Sequence, residues 1–161
     1  MPRRTRLETV ASFRADMERL LDIVSQLSEE ERGRTIYGDW TIKDVLAHIA
    51  AWDRALVRGL DELLAGRRPA FADYREADFN AQVVSDSRET PFDAVLAEAK
   101  EAHETLTRRI TALTDEEWER SSAYRWGNLT PMTAGSLFDY SYKGETHYGG
   151  HTKEIEAWTA D

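Results

Sequence analysis

The chain has 161 residues, 41% of them apolar, which is enough for one domain with a buried core. Thirty acidic residues against 21 basic ones leave a net charge of −9. The basic residues are scattered among acidic ones, which weighs against nucleic acid or an anionic membrane surface as a partner. Cysteine is absent, so disulfides, thiolate-held zinc and a cysteine nucleophile are excluded, and thiol chemistry would need an external small-molecule thiol. No apolar run approaches the ~18 residues of a membrane span, and MPRRTRLETV lacks the apolar segment of a signal peptide, so a cytoplasmic protein is expected.

In chain order, a first helix is predicted from Arg6 to Leu27, with Leu7, Val10, Phe13, Met17, Leu20, Leu21, Val24 and Leu27 as its apolar stripe. Ser28-Glu29-Glu30-Glu31 has the form of a capping box and predicts a short helical turn. After Gly33 and Gly38 a second long helix starts, with Thr41 as N-cap and Asp44 at its third position. It carries Val45, His48, Ile49, Trp52, Leu56, Leu60 and Leu63 and ends at Gly66, with Pro69 beyond.

Residues 67–91 are the least regular part, with a short helix near 77–86, and fit a long crossover of a bundle. Thr90-Pro91 then reads as N-cap and first helical position of a third long helix, lined by Val95, Leu96, Ala99, Ala102, His103, Leu106, Ile110 and Leu113. Thr114-Asp115-Glu116-Glu117 repeats the capping-box pattern of Ser28. A last helix is expected to open at Thr130-Pro131 or Thr133 and run to Trp158. No stretch alternates as a strand would, so the fold class is an all-α four-helix bundle in one domain.

Three of the four histidines fall on inward faces. His147 and His151 are spaced i, i+4, which on a helix places their Cβ atoms ~5–6 Å apart on one side. Facing helices lie ~8–10 Å apart, so His48 on the second helix can meet that pair on the fourth. Three imidazoles would leave an ion an open coordination position, the arrangement of a catalytic zinc rather than of a closed structural site.

Two readings of the histidines stay open on spacing alone, a divalent-metal site or core side chains hydrogen-bonded to neighbours. Gly149 and Gly150 have two readings as well. They either let another backbone come close, or break the helix and separate the pair. His103, beside Lys100, Glu101 and Glu104, is expected to be structural or at a solvent edge. Glu145, Asp44 and Asp53 are candidate supporting carboxylates or bases, and Trp40, Trp52, Trp126, Tyr140, Tyr142 and Tyr148 are candidate pocket residues.

Asp39-Trp40-Thr41-Ile42-Lys43-Asp44-Val45-Leu46-Ala47-His48-Ile49-Ala50-Ala51-Trp52 resembles the second-helix signature of the DinB/YfiT-like superfamily. His147-x-x-x-His151 followed by Lys153-Glu154-Ile155 resembles its fourth-helix signature. The resemblance spans nearly the whole chain and points within the superfamily to the ClbS/DfsB-type proteins. It implies an up-up-down-down bundle with a long crossover, often dimeric, and a site for nickel, zinc or another divalent ion on His48, His147 and His151.

The superfamily includes thiol-dependent transferases and isomerases using bacillithiol, mycothiol or glutathione. ClbS-like members that open a cyclopropane need not keep the histidines; this chain keeps them, which sets it nearer the metal-binding relatives. The resemblance therefore implies a metal-dependent enzyme acting on a small electrophile by hydrolysis or thiol transfer, in detoxification or stress. The alternatives are a non-catalytic protein that binds or sequesters a small molecule, and a structural homodimer in which the histidines only pack.

Overall fold

A computed structural model describes residues 4–160; the first three residues of the stretch read for a signal peptide, and residue 161, lie outside the described residues. The described residues form α1 (Arg6–Gln26), α2 (Glu29–Gly33), β1 (Thr35–Tyr37), β2 (Trp40–Thr41) and α3 (Ile42–Leu64). They continue as α4 (Glu76–Ser87), α5 (Phe92–Thr111), α6 (Asp115–Glu119) and α7 (His147–Ala160), with 3₁₀ turns at Ala70–Asp73 and Gly135–Phe138. The four long helices α1, α3, α5 and α7 make the bundle. α3 packs on α5 and α1 on α7, α1 also meets α5, and α3 shares far less surface with α7.

The helices start where local chemistry satisfies their free N–H groups. Thr5 with Glu8, Ser28 with Glu31, and Thr114 with Glu117 form reciprocal capping boxes on α1, α2 and α6. At α3 the Thr41 N–H and hydroxyl both donate to Asp44, at 2.8 and 3.0 Å. Between α3 and α5, fully buried Leu46, Ile49, Leu60, Leu106 and Ile110 meet small Ala50, Ala99 and Ala102. Each such large side chain contributes about 1.5–3 kcal/mol by leaving water.

Three expectations need correction. The chain does contain strands: β1 and β2 pair antiparallel around Gly38, whose φ of +52° makes the turn. Thr35-Ile36-Tyr37 and Trp40-Thr41 have β-branched and aromatic character, so the signal was present but too short for an alternation test. The α5 start is shifted by one residue, Pro91 being the N-cap rather than the first helical position.

The last helix does not open at Thr130 or Thr133. Thr133 does act as a cap, exchanging hydrogen bonds with Ser136 at 2.9 and 3.0 Å, but on a single 3₁₀ turn. The chain then reverses through Lys143 and Gly144, with φ of +54° and +80°, between the paired residues Tyr142 and Glu145. α7 begins only at His147, where Thr146 takes up the Gly149 N–H on its hydroxyl and the Gly150 N–H on its carbonyl. Consequently Leu137, Tyr140 and Gly144 do not share a helix with the histidines.

The helix runs unbroken through Gly149 and Gly150, because both are sites of close approach. A Cβ on Gly150 would stand 2.3 Å from a Tyr142 ring carbon and 2.7 Å from the Tyr142 carbonyl oxygen, and one on Gly149 2.8 Å from an Asp16 carboxylate oxygen. That Asp16 carboxylate accepts the Thr146 hydroxyl at 2.6 Å, tying α1 to the start of α7. Beneath the α3–α7 seam, the Tyr148 hydroxyl donates to Asp53 at 2.9 Å, and His103 from α5 meets the Tyr148 ring edge-on at 5.0 Å. His103 is thus structural, not at a solvent edge.

Two predictions follow from these contacts. Gly150→Ala gains about 1 kcal/mol of helix propensity, but overpacking against Tyr142 costs about 1–3 kcal/mol, so chemical denaturation should show net loss. Gly33→Ala, with nothing within 4 Å of the added carbon, should be neutral or better. The second concerns pH. Burial pushes the Asp53 carboxyl up to about 8 against the Tyr148 hydrogen bond, whereas burial pushes His103 down to about 4. An unfolded Asp titrates near ~3.9 and a His near ~6.5. Native Asp53 therefore holds an extra proton between those limits and costs stability as pH rises; His103 costs stability as pH falls from its unfolded value toward 4. Asp53→Asn should gain on the wild type in urea unfolding as pH goes from about 5 to about 8; a constant gap would rule out the buried protonated acid.

Candidate metal centre

His48 projects from α3 and His147 and His151 from the first two turns of α7, and their ring nitrogens converge across the seam. Nε2 of His147 lies 2.8 Å from Nε2 of His48 and 3.1 Å from Nε2 of His151. One atom from each residue falls within 4.8 Å of the others. His48 and His151 are buried, and His147 is partly exposed to the adjoining pocket.

The protons on these rings follow from their outer partners. The Trp52 indole N–H only donates, and it points at Asn80 from 3.0 Å, so the amide atom there is the oxygen. The same oxygen lies 3.0 Å from His48 Nδ1, which must therefore carry a proton, leaving Nε2 with its lone pair. His151 Nδ1 is 2.9 Å from Glu154 Oε2. Burial raises Glu154, but hydrogen bonds from His151 and then Tyr142 outweigh it and hold the carboxyl below its usual value. An ionised carboxylate only accepts, so His151 too donates through Nδ1 and turns its Nε2 lone pair inward.

Burial, with the His151 charge next, pushes His48 down to about 4, and burial with both neighbouring histidines pushes His147 well below its ordinary value. At 2.8 and 3.1 Å from His147 Nε2, the His48 and His151 lone pairs share at best one divided N–H from His147. One cation bonded at ~2.0–2.1 Å to each nitrogen resolves this spacing, so the donor set fits a divalent ion.

The triad lies in the wall of a cavity of about 800 Å³, within the range of ligand pockets. Trp40, Trp52, Trp126, Tyr140 and Tyr142 line it, as expected, but Tyr148 is core. The three carboxylates singled out from the sequence go elsewhere. Asp44 caps α3, Asp53 is bound to Tyr148, and Glu145 pairs with Lys153 at 2.7 Å. Glu154 and Asn80, which hold the triad, were not assigned that role. Glu154 was findable, being one helical turn after His151; Asn80 was not, since it reaches His48 from the crossover, 32 residues away.

Comparison with known proteins bears on the same geometry. The family model for the DinB superfamily matches residues 12–154. No curated protein matches the chain in sequence. Among solved structures, YfiT from Bacillus subtilis, described as a probable metal-dependent hydrolase with an unusual four-helix bundle topology, is similar with a TM-score of 0.68. It is 18% identical, over 99% of this chain and 91% of that one. A mycothiol-dependent maleylpyruvate isomerase has a TM-score of 0.68 at 15% identity, over 100% of this chain and 60% of that one.

The colibactin self-resistance protein ClbS, in complex with double-stranded DNA, has a TM-score of 0.76 at 12% identity, over 96% of this chain and 95% of that one. Its DNA runs against the expectation of no nucleic-acid partner; at that identity the likeness carries the fold and not the partner. No described helix is long and apolar enough to cross a membrane. With a family match over most of its length and the helical bundle of its structural neighbours, the chain belongs to the DinB superfamily.

Proposed function

We propose that the chain is a divalent-metal-dependent enzyme that acts on a small electrophilic substrate, by hydrolysis or by transfer of an external thiol. The observation that carries this reading is the set of three imidazoles converging through Nε2 in the wall of an aromatic pocket. The likeness to a probable metal-dependent hydrolase and to a mycothiol-dependent isomerase supports it.

A divalent ion held by His48, His147 and His151, nickel or zinc by the family resemblance, would supply Lewis acidity, acidifying a water to a pKa of ~7 or a thiol to its thiolate. The chain's own residues do the rest. Asn80 and Trp52 keep the His48 ring in one orientation, and Glu154 does the same for His151. Tyr142 donates to Glu154 and packs on the His151 ring at 4.9 Å, so the carboxylate is held on two sides. The Trp and Tyr walls exclude water from one side and orient a flat substrate against the open face of the triad.

A second reading, a protein that binds or sequesters a small molecule without turning it over, draws on the same aromatic cavity. It predicts that histidine substitutions leave ligand affinity intact while aromatic ones do not.

The deciding measurement is metal content by elemental mass spectrometry on untagged protein. About one divalent ion per chain is expected in the wild type, lost in His48→Ala and in His147→Ala while circular dichroism keeps its helical signal. A wild type that stays empty after reconstitution with nickel and zinc overturns the metalloenzyme reading. Glu154→Gln should retain a site but weaken it by about 10–100-fold in chelator competition; unchanged affinity would show that Glu154 does not support His151.

A further inference from the structure

The helix that holds His48 also contributes a charged residue to the pocket lining. Asn80, one residue of α4, contacts His48. Glu76, four residues earlier at the start of α4, lies on the same face of that helix, ~6 Å along its axis from Asn80. It is exposed at the pocket mouth and lines the cavity. Tyr140 and Tyr142 line the same cavity.

Among the described residues lining the cavity there are carboxylates and aromatic rings, but no lysine or arginine. Lys143 lies outside the lining, 3.7 Å from Glu154, and packs at 5.9 Å over the Tyr142 ring. Carboxylates and phosphates are recognised by cationic forks or helix N-termini; no cationic fork lines this pocket, and the two helix starts that reach it are taken up, α4 by the Glu76 carboxylate and α7 by the His147 ring of the triad. Aromatic faces beside an acidic group are, in contrast, the surroundings that attract an organic cation.

We propose that the pocket selects a flat, largely apolar substrate bearing an amine or quaternary ammonium group, with the ring system between the Trp and Tyr walls and the cation at the mouth against Glu76. The inference rests on the triad being the reactive end of the pocket. The ammonium then lies against Glu76, one turn of α4 from the Asn80 that holds His48, and the ring system reaches toward the imidazoles. Anionic cosubstrates of the glutathione type are disfavoured, because no cationic side chain in the lining meets their carboxylates. Of the two reaction types, this favours hydrolysis.

The test uses three matched probes, (2-naphthylmethyl)trimethylammonium, 2-naphthylmethanol and 2-naphthylacetate, titrated against metal-free and nickel-treated protein by tryptophan fluorescence and calorimetry. The quaternary ammonium cannot ligate metal, so its affinity reports the pocket alone. In metal-free protein it should bind about tenfold more tightly than the carboxylate. Glu76→Gln should weaken its binding by about three- to tenfold and leave 2-naphthylmethanol unchanged. Metal content should be the same in both proteins.

A carboxylate that binds as well as the ammonium in metal-free protein overturns the proposal, as does an ammonium affinity insensitive to Glu76→Gln. An ammonium preference that persists in protein unable to take up nickel or zinc overturns the metalloenzyme reading and leaves the cation selectivity standing.

Discussion

His48 and His151 turn their Nε2 atoms toward that of His147, and each of the two is held from its far side, His48 by Asn80 and His151 by Glu154. Burial lowers the basicity of His48 and His147, which keeps further protons off the cluster. Other contacts determine where the rings lie. Asp16 holds the N-terminus of α7 against α1, Tyr148 fastens α7 to Asp53 on α3, and Gly149 and Gly150 let α7 come close enough for both. The histidine cluster is what those constraints produce across the seam.

The seam also explains the pocket. α3 and α7 share little packing surface, so the space between them is filled by the connections rather than by helix faces. Phe71, from the 3₁₀ turn after α3, sits on Gly59, where a Cβ would come within 2.3 Å of its ring. The Trp52, Phe79 and Tyr74 rings pack in sequence at 4.7 and 5.1 Å and anchor α4 beside the cavity. A crossover that looks irregular in sequence therefore supplies Asn80 to the histidine triad and Glu76 to the cavity lining. Loops placed by a rigid bundle commonly carry such roles.

Below the site the core contains an acid, a phenol and an imidazole in contact, Asp53, Tyr148 and His103. Asp53 Oδ2 and His103 Nδ1 are buried without a hydrogen-bond partner among the described residues. With Asp53 pushed up to about 8 and His103 down to about 4, both are uncharged between these values. Polar side chains here fasten three helices without placing a net charge in the core, so the α7 register is set by directional bonds as well as by packing.

What the sequence by itself determined is what depends on near neighbours in the chain. The stripes of α1, α3 and α5 follow the 3.6-residue period, the boxes at Ser28, Thr41 and Thr114 act over three residues, and His147 and His151 share a face because they are one turn apart. The triad was legible because His48 falls on an inward stripe and the pair on another. Only the tertiary structure decided the start of α7, because Thr133 and Thr146 both offer a cap and Tyr142 packing on Gly150 determines which one opens the long helix. It also decided which polar groups serve the site. Asp44, Asp53 and Glu145 were as plausible by position as Glu154 and Asn80, but partners distant in sequence set a side chain's role, and local periodicity does not encode them.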